Sequence, residues 1–141
     1  MLYCKANDTY IVRIDAGQEV LACLKELCRK ENVSCAHVSA IGAASHAIIG
    51  VYDLEKQEYC REELNGFMEI ASLTGNVTQM NGQVYLHLHG VLADQNHRLY
   101  GGHIIELQIG ATCELYLRVL PASISREKDD SLGINLIRPG L

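Results

Sequence analysis

Two extended, β-favouring runs flank the dipeptide Asn81-Gly82, and this dipeptide constrains the fold more strongly than any other feature of the chain. Asn-Gly is the preferred sequence of the two-residue turns that join antiparallel strands, because these turns need positive φ angles. A two-residue turn at this place also sets the register of the two strands. It predicts that Asn76 lies opposite His87.

The second strand of this hairpin carries a His-Leu-His sequence. His87 and His89 are two residues apart in the apolar run 84–92, so in a strand their side chains point to the same face. The same register places Thr74 opposite His89. We expect Thr74 and Asn76 to orient the two imidazoles, as polar neighbours of metal ligands do.

A third histidine lies on the next predicted strand. The polar stretch 94–97 is typical of a hairpin loop, and a second extended run follows at 99–109. If the loop has three residues and is centred near position 95 or 96, His103 pairs across from His87 or His89 and shares their face. A loop of even length would turn His103 to the opposite face.

Three neutral imidazoles on one face favour a metal site. Zinc accepts histidine nitrogens at about 2.0–2.1 Å and prefers four ligands, so a fourth position would remain for water or a small anionic ligand. Nickel, copper and iron also accept histidine, so the residues indicate a divalent transition metal, with zinc expected. The alternative is that His87, His89 and His103 are ordinary polar residues of a half-exposed sheet.

The remaining candidate residues give weaker signals. His97 lies in the predicted loop and is expected in solvent, and His37 and His46 are interpreted as isolated histidines. Glu69 is the only nearby candidate for a catalytic general base. In a regular strand it faces away from the histidines, so a direct role would require a β-bulge.

Length and composition place the chain among ordinary globular proteins. Its 141 residues suit one domain spanning 1–141, and a hydrophobic content of 48% with 21% charged residues is a globular composition. No apolar run reaches the roughly 20 residues that cross a bilayer. The first five residues lead into a polar segment rather than an apolar signal sequence, and the six cysteines are scattered without a CxxC pair. We therefore expect a cytoplasmic protein with free thiols and no membrane association.

The charge balance disfavours nonspecific binding to nucleic acid. The net charge is −5 and the isoelectric point is about 5.6, whereas affinity for DNA comes mainly from cations that neutralise phosphates. The longest candidate basic patch combines Arg118, Arg126 and Lys128, and it is sparse.

The periodicity of the rest of the chain predicts one helix among strands. Residues 18–31 carry an apolar stripe with Asn32 as a C-terminal cap, and the stripe consists of Val20, Leu21, Leu24, Leu27 and Cys28. Strands are predicted at 10–14, 33–41, 46–52, 58–64, 67–78 and 112–120. We expect the small residues 42–45 to form a turn, the charged residues 125–130 to form a loop, and 132–137 to add a short edge strand.

An ordered set of motifs resembles the Plants and Prokaryotes Conserved domain family, in particular its bacterial and archaeal single-domain members. The motifs run nearly end to end and are Ile41-Gly-Ala-Ala-Ser45, Ile49-Gly-Val-Tyr-Asp53, Met68 to Asn76, His87-Leu-His-Gly-Val-Leu-Ala-Asp94 and Gly101-Gly-His103. The resemblance implies an α/β fold of the α+β type, with a bent, mostly antiparallel sheet and one principal helix. It also implies a homotrimer and a metal bound by the histidines.

The plant members of this family suggest a different function. They lack these histidines, join the domain to DNA-contacting AT-hooks, and bind partners around a Gly-Arg-Phe-Glu-Ile segment. Here the corresponding residues are Gly66-Phe-Met-Glu-Ile70, without that arginine, and no AT-hook is present. Three functions therefore compete: a metal-dependent small-molecule binder or enzyme, a DNA-associated regulator acting through its trimer surface, and an assembly module with a structural metal.

Overall fold

The computed structural model of the protein describes residues 1–139. These residues form one helix and eight strands that belong to one sheet. In chain order the elements are β1 (Leu2–Ala6), β2 (Thr9–Asp15), α1 (Val20–Lys30), β3 (Ala36–Asp53), β4 (Glu58–Met80), β5 (Gln83–Ala93), β6 (Leu99–Val119), β7 (Ile124–Asp129) and β8 (Ile134–Pro139).

The central strands close into a ring. β3 pairs with β4, β4 with β5, β5 with β6, and β6 again with β3, all antiparallel. β2 and β1 extend the sheet from β6, while β7 joins β4 through one parallel pair, Gln79 with Ser125. The predicted fold class, a bent and mostly antiparallel sheet with one principal helix, is confirmed.

Three of the strands are much longer than the sequence suggests. The predicted strands 33–41 and 46–52 are parts of β3, and the residues 42–45 between them form no turn. A Cβ atom on Gly42 would lie 2.3 Å from the carbonyl oxygen of Thr112. The small residues therefore permit a close approach of β6 and two of the three register shifts between β3 and β6, rather than a reversal of the chain.

The predicted strands 58–64 and 67–78 are joined in β4, and 99–109 and 112–120 are joined in β6. In β6 the explanation is again a close approach, because a Cβ atom on Gly110 would be 2.9 Å from atoms of Ala44 and Ser45. In β4 it is different: Gly66 has open space around its Cβ position, and its φ of 105° accommodates an irregularity within a continuous strand.

The helix lies within the predicted range 18–31. Glu19 caps its N-terminus by accepting hydrogen bonds from the backbone N–H groups of Leu21 and Ala22. Asn32 has φ of 54° directly after the helix, and the N–H of Val33 donates to Cys28 O at 2.8 Å, which is the expected C-terminal cap. Of the predicted stripe only Leu21 is not buried, and Cys23 is buried in its place. Across residues 1–139, no helix is both long and apolar enough to traverse a membrane.

The C-terminal region forms a strand where the sequence predicted a loop. Residues 125–130 were expected to form a loop, but most of them belong to β7, which pairs with β8 in an antiparallel hairpin. The sequence does not show this strand because its inward-facing residue is the buried Arg126, whose neighbours Ser125 and Glu127 are exposed. The edge strand predicted at 132–137 is confirmed as β8.

Candidate metal centre

Two hairpins bring three histidines together. The first has its turn at Asn81 and Gly82, with φ of 51° and 72°. It pairs Asn76 with His87 and Thr74 with His89, as predicted from the turn. The strand β5 therefore presents both imidazoles on one face.

The second hairpin adds His103 to the same face. Its pairs begin at Ala93 and Leu99, so the loop has residues 94–98 between them rather than three residues. The length is still odd, and His103 pairs with His89, which is one of the two partners predicted for it. Asp94 orders this loop by accepting hydrogen bonds from two backbone N–H groups, and these bonds lower the pKa of its carboxyl.

The geometry of the three rings suits a metal ion. Their centroids are separated by 5.1, 5.2 and 5.5 Å, and one nitrogen of each ring lies within 4.8 Å of the others. The Nε2 atoms of His87 and His89 are 3.2 Å apart. Two ligands of a tetrahedral zinc ion at about 2.0–2.1 Å lie roughly 3.3 Å apart, so this pair already has the required spacing.

His103 is held by its neighbours on β3 and β4. It pairs with Gly50, and the Tyr59 ring stacks on its imidazole with centroids 4.9 Å apart. A Cβ atom on Gly50 would lie 2.9 Å from the Tyr59 ring, so glycine makes room for this stacking. Burial, and to a smaller extent the two other imidazoles, lowers the pKa of His103 to about 4. Its Nδ1 atom is buried and has no hydrogen-bond partner among the described residues.

His87 contacts an arginine that sequence reasoning did not connect with the site. The Nη2 atom of Arg126 lies 3.4 Å from Nδ1 of His87 and donates a hydrogen bond to Asn76 Oδ1 at 2.9 Å. Burial is the main reason that the pKa of His87 is lowered, followed by the positive charge of Arg126 and by His89. His87 and His103 are therefore neutral at pH 7, which is the state that binds metal.

The three histidines line a cavity of about 310 Å³. Aromatic rings and the C-terminal hairpin supply most of the other walls. The lining residues besides the histidines are Tyr52, Tyr59, Tyr85, Arg126, Gly133, Ile134 and Asn135. None of these seven was identified as a site residue from the sequence. Tyr85 lies two residues before His87 on β5, so the alternation of side chains could have identified it. The others reach the site through contacts between residues far apart in the chain, such as Arg126 with Thr78.

The structure does not bring Glu69 to the histidines. A register shift does occur nearby, between Ile70 and Ser72, but Glu69 lies opposite Ala93, four positions beyond His89 on β5. Its side chain is exposed and does not line the cavity. A β-bulge is therefore present in β4, but it lies too far along the strand to bring the Glu69 carboxylate to the histidines.

The two polar residues opposite the histidines have different roles from those expected. The Thr74 hydroxyl donates to Val38 O at 3.3 Å, on the side of β4 away from His89. Asn76 acts on His87 indirectly, by holding Arg126.

The other three histidines lie elsewhere. His97 is exposed in the loop, as predicted, and His37 is exposed on β3. His46 lies between two carboxylates, 4.0 Å from Glu63 and 3.7 Å from Glu106.

A closed ring of bulged strands with one covering helix, and a His-x-His strand paired with a Gly-Gly-His strand, defines a class of small β-rich proteins with a candidate metal site. Within that class the chain belongs to the Plants and Prokaryotes Conserved domain family, whose family model matches residues 1–121. A search of curated proteins gave no match.

Solved structures agree with this assignment. A protein from Bacteroides thetaiotaomicron, provisionally described as DNA-binding, is 28% identical with a TM-score of 0.94, and the match covers 97% of this chain and 96% of that one. A metal-containing protein from Archaeoglobus fulgidus is 31% identical with a TM-score of 0.85, covering 96% and 97%. A plant- and prokaryote-conserved protein from Pyrococcus horikoshii is 28% identical with a TM-score of 0.87, covering 99% and 96%.

Proposed function

We propose that this protein binds one divalent transition-metal ion per chain, zinc being the expected one, through His87, His89 and His103. The observation that carries the proposal is the convergence of one nitrogen from each ring to within 4.8 Å at the wall of a cavity. Three protein ligands leave a position open for water or a small anionic ligand. The site is then one for ligand binding rather than a structural zinc site, which usually has four protein ligands.

The donor set and a relative both support this proposal. The three ligands are imidazoles with no thiolate or carboxylate among them, a set that suits zinc and other late transition metals. The relative from Archaeoglobus fulgidus, 31% identical over nearly its whole length, is described as metal-containing. A zinc ion held in this way would supply Lewis-acid chemistry to an oxygen-containing ligand.

The protein's own residues would prepare the site for the ion. Tyr59 stacking orients His103, and Arg126, held by Asn76, lies against the outer edge of His87 in the metal-free chain. If His87 coordinates through Nε2, its Nδ1 must carry the proton and cannot accept a hydrogen bond from Arg126. The cavity lining contains no carboxylate among the described residues that could act as a general base, so the geometry supports ligand binding more directly than catalysis.

Elemental analysis of protein purified without an affinity tag tests the proposal. We expect about one zinc per chain in the wild type and almost none in the double variant His87→Ala, His89→Ala. The matched control is His37→Ala, His46→Ala, which removes two histidines outside the cavity and should keep the metal. An unchanged metal content in the first variant would refute the site.

We also propose that the chain assembles as a homotrimer. Apolar side chains on the neighbouring strands β1, β2 and β6 are exposed in the single chain, with Leu2, Ile11 and Tyr116 at 59%, 41% and 54% exposure. Contiguous exposed apolar surface is typical of a protein interface. Sedimentation equilibrium should give three times the chain mass of 15.6 kDa, and a single-chain mass at micromolar concentration would exclude the trimer.

DNA association through the trimer surface is the second candidate, because the relative from Bacteroides thetaiotaomicron is described as DNA-binding. The net charge of −5 opposes it. The candidate basic patch also presents less positive charge at the surface than the sequence indicates, because Arg126 is only 6% exposed and lines the histidine cavity. We expect no duplex binding tighter than about 10⁻⁶ M at physiological salt. Tight binding that weakens steeply with salt would reverse the order of the two candidates.

A further inference from the structure

The C-terminal hairpin forms one wall of the histidine cavity. Gly133, Ile134 and Asn135 line the cavity together with Arg126, and all four lie beyond residues 1–121 that the family model matches. Side chains from the ring of strands hold the hairpin in place: Tyr52 donates a hydrogen bond to Leu132 O at 3.0 Å, and Asn135 donates to the Tyr85 hydroxyl at 3.2 Å. The cavity therefore takes its chemistry from two parts of the chain.

Arg126 brings a buried positive charge into this cavity without a compensating negative one. Its side chain is 6% exposed, and within residues 1–139 no carboxylate oxygen lies within 4.0 Å of its guanidinium. The guanidinium instead stacks over the Tyr85 ring at 4.8 Å. A buried charge is costly unless it is paired, so an anion that enters the cavity would compensate this charge.

The hydrogen bonds of Arg126 leave part of its donor capacity unused. It donates from Nε to Thr78, from Nη1 to the backbone oxygen of Asn135, and from Nη2 to Asn76. A guanidinium has five N–H donors, so these three bonds leave two, one of them near His87. Once His87 holds a metal through Nε2, its protonated Nδ1 no longer accepts from Arg126. Two donors then remain, which is the number that one carboxylate uses in a bidentate pair.

The rest of the cavity indicates the body of the ligand. The rings of Tyr52, Tyr59 and Tyr85 and the side chain of Ile134 give it a largely apolar lining. Its volume of about 310 Å³ is at the small end of the range for ligand sites. Arg126 is the single cationic side chain among the described lining residues. A carboxylate can be neutralised by Arg126 alone, whereas a phosphate dianion would also need the charge of the metal.

We propose that the cavity binds a small monocarboxylic acid with an apolar or aromatic body, and that Arg126 determines this specificity by pairing with the carboxylate. This inference rests on the proposed function, because the ligand would contact both the metal and Arg126. It adds the class of ligand, and it assigns a binding role to a residue outside the stretch that the family model matches.

Calorimetric titration of the zinc-loaded protein with benzoate tests the inference, with benzyl alcohol as the neutral probe of similar shape and inorganic phosphate as the competing anion. We expect benzoate to bind at least about tenfold more tightly than either, since hydrogen bonds to a charged group contribute about 1.5–3 kcal/mol. Equal binding of benzoate and benzyl alcohol would overturn the inference, and tighter binding of phosphate would replace the carboxylate with a phosphoryl group.

Variants of two arginines on the same hairpin separate charge recognition from folding. Arg126→Met should weaken benzoate binding about 10- to 100-fold and leave benzyl alcohol unaffected, while Arg126→Lys should recover part of the loss because it keeps the charge without the planar fork. Arg138→Met is the matched control, because Arg138 is exposed and pairs only with Glu127 at the surface. If Arg126→Met does not fold, the difference between benzoate and benzyl alcohol affinity in the wild type still tests whether the cavity recognises a carboxylate.

The metal content of each sample distinguishes failure of this inference from failure of the proposed function. A wild type that holds zinc but does not discriminate benzoate from benzyl alcohol would contradict the role of Arg126 and leave the metal site standing. A wild type without zinc would contradict the metal site. Benzoate would then be titrated into the metal-free Arg126→Met and Arg138→Met variants. Weaker binding in Arg126→Met alone would support the pairing of Arg126 with the carboxylate, and equal binding in the two variants would contradict it.

Discussion

His46 and the three histidines of the cavity lie on the same sheet, yet their surroundings differ in charge. Both ring nitrogens of His46 already have polar neighbours, with Asn65 Oδ1 at 3.0 Å from Nδ1 and a Glu106 oxygen at 3.7 Å from Nε2. In the cavity, the imidazoles face one another and a guanidinium, and within residues 1–139 His103 Nδ1 has no hydrogen-bond partner. The comparison teaches that a metal site needs ring nitrogens that are not already engaged by carboxylate or amide oxygens, and not merely nearby histidines.

The largest expected effect is the loss of zinc affinity when a histidine of the cavity is removed. Removal of His46, outside the cavity, should not cause it. His103→Ala should lower the affinity for zinc by more than about 100-fold, because it deletes a ligand, whereas loss of a supporting residue typically costs 10- to 100-fold. His46→Ala should leave the affinity unchanged. Competition with a chromophoric chelator measures both variants, and equal losses in the two would remove the distinction between the regions.

A smaller effect should come from the residue that sets the charge of the cavity. Arg126→Met leaves Thr78, Asn76 and the Asn135 carbonyl without their donor, so we expect a loss of about 2 kcal/mol in the free energy of unfolding. The exposed Arg138→Met should change it by less than about 0.5 kcal/mol. Urea denaturation measures both, and similar values would mean that the Arg126 network does not stabilise the fold.

The pH dependence of the metal-free protein should show a further, moderate effect. The pKa of His103 is about 4 in the folded chain and about 6.5 in an unfolded one. Between these values the unfolded state binds more protons, so this residue makes stability fall as the pH decreases from 6.5 to 4. His103→Gln should therefore lose less stability than the wild type between pH 7 and pH 4.5 in urea denaturation. A matched substitution in the exposed loop, His97→Gln, should follow the wild type; identical profiles for all three proteins would argue against a buried, neutral His103.

The local parts of this molecule could be predicted from the sequence, because short-range rules determine them. The Asn81-Gly82 turn sets the register that pairs Asn76 with His87, and the odd length of the next loop places His103 beside His89. The helix and its cap at Asn32 follow from periodicity and from the αL conformation that asparagine tolerates.

The long-range parts could not be predicted in the same way. By local rules, glycine at 42 and 110 indicates a break between strands, but in this fold it permits strands to approach closely. Arg126 belongs to a charged stretch that resembles a loop, and its partners Asn76, Thr78 and His87 are 39 to 50 residues away. A single sequence contains no local signal for such contacts.

The visible spectrum of the cobalt-substituted protein tests the central claim most directly, because it reports the coordination of the ion itself. If His87, His89 and His103 hold the ion with one position open, the wild type should take up one cobalt per chain, and its absorption bands should shift when acetate or benzoate is added. Failure to take up cobalt would contradict the metal site. A spectrum insensitive to both pH and added carboxylate would show that protein ligands fill all four positions, so the metal would be structural and the cavity would not be its binding site for ligands.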